Sequence, residues 1–289
     1  MNDNRYFAAQ YRVFSGVSLV YYTSHTQHGA LIRPEGASFA IFHCREGRME
    51  CTIGQELCYI SPGDLLIVRT ALLRGELFFP LRHYHGITAC IDVAAAPRCL
   101  SCVLEDVAVQ PGRIEEKFCG AKGYFIARSN PSFEHIFSEL YAVPEEVRRG
   151  YCRIKLLELM LFLSVYPVQE EQQRAVSPAQ AGLAKEAAAY LTQHMEERVT
   201  VRQMAAMLHV SDTVIKSAFR AVYGVSFYAY LKTQKMESAA WMLEYTEQTV
   251  AQIAGAHGYD NASKFAVAFR SVKGMAPQEY RQKNARPAR

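Results

Sequence analysis

The stretch VRQMAAMLHVSDTVIKSAFRAVYG, residues 201–224, is echoed further on by VAQIAGAHGYDNASKFAVAFRSVKG, residues 250–274. Aligning Ala205 on Ala254 sets the two copies 49 residues apart. Each copy reads as a short helix, a tight turn and a second helix. The second helix closes on Ala218-Phe219-Arg220 before Gly224 in one copy, and on Ala268-Phe269-Arg270 before Gly274 in the other. The small side chains of Ala205 and Ala254 let two helices cross closely. Four residues later the chain must turn sharply. Gly258 suits that place, because glycine tolerates a left-handed backbone. His209 holds it in the first copy, less comfortably. Ile215 and Phe265 then lock each helix pair, and Ser211 and Asn261 are placed to cap the second helices. One such pattern is a weak signal. Two in tandem, joined by a long helix over 226–243, define a pair of helix-turn-helix units.

Working outward, the remaining sequence from 178 onward is also helical, with segments at 178–195 and 277–281 flanking the two units. Before it, PVQEEQQRAVSPAQ (167–180) is polar and proline-containing and reads as a linker. Upstream the period changes. Short apolar runs at 38–44, 49–53, 57–60, 65–68 and 86–92 read as strands. Gly47, Gly54, Pro62-Gly63-Asp64 and Pro111-Gly112 mark turns between them. Two helices follow, at 131–142 and 144–165, each opening near a proline. In the second, Val147, Tyr151, Ile154, Leu157, Leu161 and Val165 form an apolar stripe. It packs on its own chain or against a second chain.

Composition agrees with a globular protein of two domains. The 289 residues are half apolar and about a fifth charged, which excludes collagen-like, low-complexity and disordered chains. The longest apolar run, 156–165, is broken by Glu158 and Ser164 and is too short to span a membrane. The opening MNDNRYFAAQYR has no apolar run behind a basic end, so the expected compartment is the cytoplasm. Thiols stay reduced there, and the eight cysteines, all within the first 152 residues, read mostly as free thiols. Charge is uneven. Residues 176–289 carry 14 Lys+Arg against 9 Asp+Glu, whereas the rest is near neutral. That points to a polyanion partner for the C-terminal part alone.

Residues 199–281 resemble the tandem helix-turn-helix domain of AraC/XylS-family transcription regulators. The resemblance is carried by FRAVYGVSFYAYLKTQKMESAAWML and by VAQIAGAHGYDNASKFAVAFRSVKGMAPQEYR, with its closing Gly-x-x-Pro-x-x-Tyr-Arg. Lys235-Met236 and Lys264 depart from the family's usual Arg-Leu or Arg-Met and aromatic residue. The resemblance implies two recognition helices entering successive major grooves about one helical turn (~34 Å) apart. Asp212, Thr213 and Lys216 on the first, and Asn261, Ser263, Lys264 and Val267 on the second, are the candidate base readers. Arg220, Arg270, Lys273, Arg281 and Lys283 are better suited to phosphates. Phe219, Phe265, Phe269 and Trp241 are expected in the core. Double-stranded DNA and RNA polymerase are the implied partners, with the sign of regulation open between activator and repressor.

The resemblance extends more weakly upstream, to a cupin-like sensor and dimerisation domain. The expected class is therefore α+β and multidomain: a β-rich cupin-like barrel with two helices (1–166), a linker (167–180) and an all-α tandem helix-turn-helix domain (181–284). A homodimer through the helix at 144–165 is expected. The N-terminal part is read as sensing an unknown small-molecule effector, with Tyr21, Tyr22, His43, Arg45, His83 and His85 lining the pocket. His83-x-His85 sets two imidazoles on one face of a strand, but Gly86 to Cys90 offers no carboxylate, so neither a metal nor a cofactor is assigned. Cys99-x-x-Cys102 leaves a redox sensor as an alternative, beside a cupin-type metal enzyme with a DNA-targeting tail. No phosphate loop, nucleophile elbow or His/Glu metal helix marks an enzyme elsewhere.

Overall fold

The computed structural model describes residues 6–30, 36–97, 109–168 and 176–284. It divides the chain into two compact units, Met1–Val176 and Ser177–Arg289. The boundary falls inside the stretch read as a linker, because Ser177 caps a helix that starts at Pro178. Residues 169–175 lie outside the described residues.

The N-terminal unit is built on two antiparallel sheets. Its strands are β1 (Tyr6–Phe14), β2 (Val17–Ser24), β3 (His28–Gly29), β4 (Phe39–Gly47), β5 (Met49–Ile53), β6 (Glu56–Ile60), β7 (Leu65–Arg69), β8 (Leu73–Phe78), β9 (Tyr84–Ile91) and β10 (Tyr124–Ala127). One sheet runs β1-β2-β9-β4-β7-β10 and the other β3-β8-β5-β6. The apolar runs at 39–44 and 65–68 do not alternate with polar residues, because both faces of the larger sheet are covered. Ala40, Phe42, Leu66 and Val68 point between the sheets, against Met49, Ile60 and Phe79. Phe39, Ile41, Leu65 and Ile67 point the other way, under three helices. Those helices are α1 (Pro111–Cys119), α2 (Pro131–Ala142) and α3 (Glu145–Val165).

Two N-terminal expectations are corrected. Pro111-Gly112 is not a turn: Pro111 is the first residue of α1, where its missing N–H goes unneeded. The second concerns the stripe on α3. The helix buries Cys152, Leu156, Leu159, Met160 and Leu163 against the sheet. Of the predicted stripe, Val147, Ile154 and Val165 face outward, Ile154 with 62% of its surface exposed, and Leu157 and Leu161 are only partly covered.

The C-terminal unit is all-helical: α4 (Pro178–Gln193), α5 (Val201–Met207), α6 (Asp212–Tyr223), α7 (Phe227–Tyr245), α8 (Val250–Ala256), α9 (Ala262–Lys273) and α10 (Pro277–Asn284). Both short helices open on a full capping box, Thr200 with Gln203 and Thr249 with Gln252. The tight turns form as the spacing requires. His209 takes φ 54° and Gly258 φ 72°. A Cβ at Gly258 would sit 2.5 Å from the Glu196 carbonyl oxygen, so glycine is needed there for space as well as for angle. Phe265 and Phe269 are fully buried against Met236, Ala239, Ala240 and Leu243 of α7. Trp241 is the exception to the expected core. It is 59% exposed and stacks on Tyr245, one turn along the outer face of α7.

Lys235 ties these parts together. It is buried, and its Nζ donates to the carbonyls of Glu197 (2.9 Å), just before α5, and His257 (3.0 Å), at the end of α8. Burial lowers its pKa. Replacing it by methionine keeps the shape and removes the donor from both carbonyls, the His257 one in a buried site. Lys235→Met should lower the stability of this unit by about 1–3 kcal/mol. Urea unfolding of the full chain, followed by the fluorescence of Trp241, its single tryptophan, measures this. A midpoint equal to wild type would show that the ammonium is dispensable.

Candidate nucleic-acid interface and sensor face

The helices α6 and α9 occupy equivalent places in the two units. Each is capped at its start by the predicted side chain. Ser211 accepts from the Val214 N–H, and Asn261 Oδ1 accepts from the N–H groups of Ser263 and Lys264. Each ends at a left-handed glycine, Gly224 (φ 74°) or Gly274 (φ 76°). Between those points the inner face is apolar and fixed, and the outer face is set by the helical period. Thr213, Lys216 and Arg220 lie exposed on α6, with Asp212 half-buried at its first position. Ser263, Lys264, Val267 and Arg270 lie exposed on α9. Among the described residues, the side chains of Lys216, Arg220, Lys264 and Arg270 make no hydrogen bond or ion pair within the protein, and so are available to an outside anion.

Four predicted DNA contacts are engaged within the fold. Arg281 donates from Nε to the Leu243 carbonyl (3.3 Å) and from Nη2 to that of Gln248 (2.6 Å), tying off the end of α7. Lys273 is mostly covered and pairs with Glu237. Asn261 spends its oxygen on the cap, which leaves only its amide nitrogen for a base. Lys283 pairs with Glu279 one turn back, at an exposed site worth little to stability.

The six predicted effector residues do not line one pocket. Strand parity separates Tyr22 from the rest. It lies between the sheets with Phe79 and Tyr84, where Val20, Phe42, Met49, Leu77 and Thr88 complete the wall of a cavity of only about 10 Å³. That holds roughly one water. Tyr21 and His43 face the helices. Tyr21 Oη donates to the Leu140 carbonyl at 3.0 Å. His43 stacks on Phe137 with ring centres 4.0 Å apart, and the Arg45 guanidinium lies 4.6 Å from the Tyr141 ring centre. Both nitrogens of His43 and the Tyr141 hydroxyl are buried without a hydrogen-bond partner among the described residues. Burial pushes the His43 pKa down to about 4. His83 and His85 stand at the start of β9, where burial and the neighbouring His83 lower the pKa of His85.

Sequence reasoning missed two neighbours of that histidine pair, His25 and Glu46. His25 is distant in sequence. Glu46 is placed by a β-bulge between Cys44 and Glu46 that breaks the period of two. Among the cysteines, Cys44, Cys51, Cys58, Cys90, Cys119 and Cys152 are buried free thiols. Cys99 and Cys102 lie outside the described residues. No helix among the described residues is long and apolar enough to cross a membrane.

Residues 204–283 match the family model described as a helix-turn-helix domain. The chain is 29% identical over 125 residues to the HTH-type transcriptional regulator YisR of Bacillus subtilis, covering 43% of this chain and 42% of that one. It is 30% identical over 95 residues to the MmsAB operon regulatory protein of Pseudomonas aeruginosa, covering 33% of this chain and 31% of the relative. The match thus spans less than half the length of either relative. Among solved structures, the C-terminal domain of AraT, a response regulator from Geobacillus stearothermophilus, is 30% identical. It covers 38% of this chain and 88% of that one, at a TM-score of 0.36. The C-terminal unit is a helix-turn-helix domain of the AraC type, a DNA-binding module of transcription regulators.

The buried imidazole of His43 makes the N-terminal unit acid-sensitive. An unfolded histidine titrates near 6.5, and the folded one near 4. Between those values the unfolded chain binds a proton that the fold rejects, so stability falls as pH falls through that window. His43→Phe keeps the stack on Phe137 and removes the proton. Relative to wild type it should gain roughly 2–3 kcal/mol between pH 7 and pH 4. Urea unfolding across that range checks this. Parallel stability curves would show that His43 is protonated in the fold.

Proposed function

We propose that this chain is a sequence-specific transcription regulator that acts in the cytoplasm on double-stranded DNA. The observation that carries the reading is the pair of capped helices α6 and α9, each presenting exposed polar and cationic side chains that the fold itself does not use. Placed in successive major grooves, they read bases through Thr213, Lys216, Ser263, Lys264 and Val267, with Asp212 and the Asn261 amide at the helix starts. Arg220 and Arg270 hold phosphates and set the register. Bound in this way, the protein recruits or obstructs RNA polymerase.

Selection of random duplexes by the full-length protein, followed by sequencing, tests this. Wild type should return a bipartite motif with its halves about one helical turn apart. Lys264→Ala should change the preference at one or two positions of one half, by about 1–3 kcal/mol against the preferred base. Arg270→Ala should weaken all sites alike and reduce the salt dependence of binding. Identical motifs for wild type and Lys264→Ala would remove Lys264 from the readers. No enrichment at all would sink the reading.

The N-terminal unit supplies effector sensing and pairing. The buried polar atoms of His43 and Tyr141, with Tyr21 and Arg45 beside them, form the face on which a small polar effector finds unused partners. Such an effector acts only through a difference in affinity between two arrangements of the protein. The outward stripe of α3 supports a homodimer. Val147, Ile154, Leu157, Leu161 and Val165 recur at steps of seven, three, four and four residues, exposed at Val147, Ile154 and Val165 and partly covered at the two leucines, the spacing of a coiled seam. Light scattering after size exclusion should give a dimer for wild type and a monomer for Ile154→Glu. Because Ile154 is exposed, the variant should fold normally. A dimer that survives Ile154→Glu places the interface elsewhere.

A further inference from the structure

Three histidines from two separate segments meet at one end of the larger sheet. His25 follows β2, and His83 and His85 stand at the start of β9. One ring nitrogen from each lies within 4.8 Å of the other two. Their ring centres are 4.9 to 5.8 Å apart. The backbone fixes this meeting. Thr23 pairs directly across from His85 in the β2–β9 ladder, which brings the end of β2 beside it. The turn that carries His25 is tied by the Ser24 and Thr26 hydroxyls, 2.9 Å apart, and by the Thr26 hydroxyl donating to the His28 carbonyl at 2.6 Å.

A carboxylate completes the group. The bulge in β4 sets Glu46 directly opposite His85. Gly47 (φ 81°) lets the chain lie against His83, since a Cβ there would sit 2.0 Å from the His83 carbonyl oxygen. Glu46 Oε2 is then 3.5 Å from His83 Nε2, and its other oxygen is held 3.5 Å from Arg45 Nε. His85 Nε2 is buried and has no hydrogen-bond partner among the described residues. A buried ring nitrogen left unpaired beside two further imidazoles is unexplained by packing.

We propose that His25, His83 and His85 bind a divalent transition-metal ion with the preferences of Zn²⁺. Three imidazole ligands leave one position of a tetrahedron open to water. Glu46 orients His83 and balances the charge, as carboxylates behind metal-bound histidines do. An all-imidazole set selects Zn²⁺, Cu²⁺ or Ni²⁺ over Mg²⁺ and Ca²⁺, which demand oxygen ligands. The ion would clip the turn after β2 to the start of β9. The site stands apart from the DNA-binding reading and holds whether or not that reading is right.

The test is calorimetric titration of the full-length protein, freed of metal with a chelator, using ZnCl₂ and, separately, MgCl₂. One Zn²⁺ per chain should bind, Mg²⁺ should not, and Zn²⁺ should raise the melting temperature. Glu46→Gln should weaken Zn²⁺ about 10- to 100-fold. His25→Ala and His85→Ala should lose more than that. His25 is exposed, so its variant should melt like metal-free wild type, and it decides the matter should His85→Ala fail to fold. Cys99→Ser/Cys102→Ser should bind Zn²⁺ as wild type does. No uptake of Zn²⁺, uptake unchanged in His25→Ala, or uptake abolished in the double cysteine variant would each overturn the assignment.

Discussion

The buried ammonium of Lys235 is the contact on which the C-terminal unit turns. It lies on the helix that joins the two helix-turn-helix repeats and holds one carbonyl from each side: Glu197 before the first repeat and His257 at the turn of the second. A charge placed there loses hydration, and the depressed pKa registers that cost. What offsets it is the pair of carbonyl hydrogen bonds, the one to His257 being buried. The close turn at Gly258 belongs to the same arrangement, since it brings the backbone so near Glu196 that a Cβ there would sit 2.5 Å from the Glu196 carbonyl oxygen. One point charge thus ties the segment before α5 to the turn that ends α8.

The N-terminal unit obeys a different constraint. Its larger sheet is buried on both faces, so each strand serves two cores with alternate residues. The inner core is filled by Tyr22, Phe79 and Tyr84, which leave a cavity too small for an organic molecule. Chemistry is therefore displaced to the helix side. There Tyr21, His43 and Arg45 meet Tyr141, and beyond the edge of the helices the same face runs on to the histidines. A bulge in β4 makes this possible by moving one carboxylate across the sheet without moving the strand.

That difference explains what could be read from the chain. The C-terminal unit was legible almost helix by helix, because its signals are local: caps at Ser211 and Asn261, a left-handed turn four residues after each alanine, and a glycine at each helix end. The N-terminal strands at 49–53 and 65–69 were legible for the same reason. The histidine cluster was not, because His25 and His83 are neighbours only through sheet register, and Glu46 only through an irregularity in it. The stripe on α3 was found, but its direction was not. Period alone cannot say which of two apolar faces meets the sheet, and here Cys152, Leu156, Leu159 and Leu163 took that place. Trp241 failed by a similar route: a large apolar side chain is a poor guide to burial when its helix already has a full core face.

The cations of the C-terminal unit show why charge alone is a weak guide to an interface. Sequence gives Arg270 and Arg281 equal standing: both are arginines near the end of a repeat that carries a net positive charge. The fold separates them. Arg281 satisfies the Leu243 carbonyl, left open in the last turn of α7, and the Gln248 carbonyl in the loop beyond it. Lys273 is likewise taken up by Glu237. Among the described residues, Arg270, Arg220, Lys216 and Lys264 remain on the outward faces of α6 and α9, with Arg202 on α5 and Lys232 on α7. Most of the cations left over once the fold has satisfied itself are thus on the two helices that hold equivalent places in the repeat. The unpaired positive charge of this unit is therefore weighted towards the outward faces of α6 and α9.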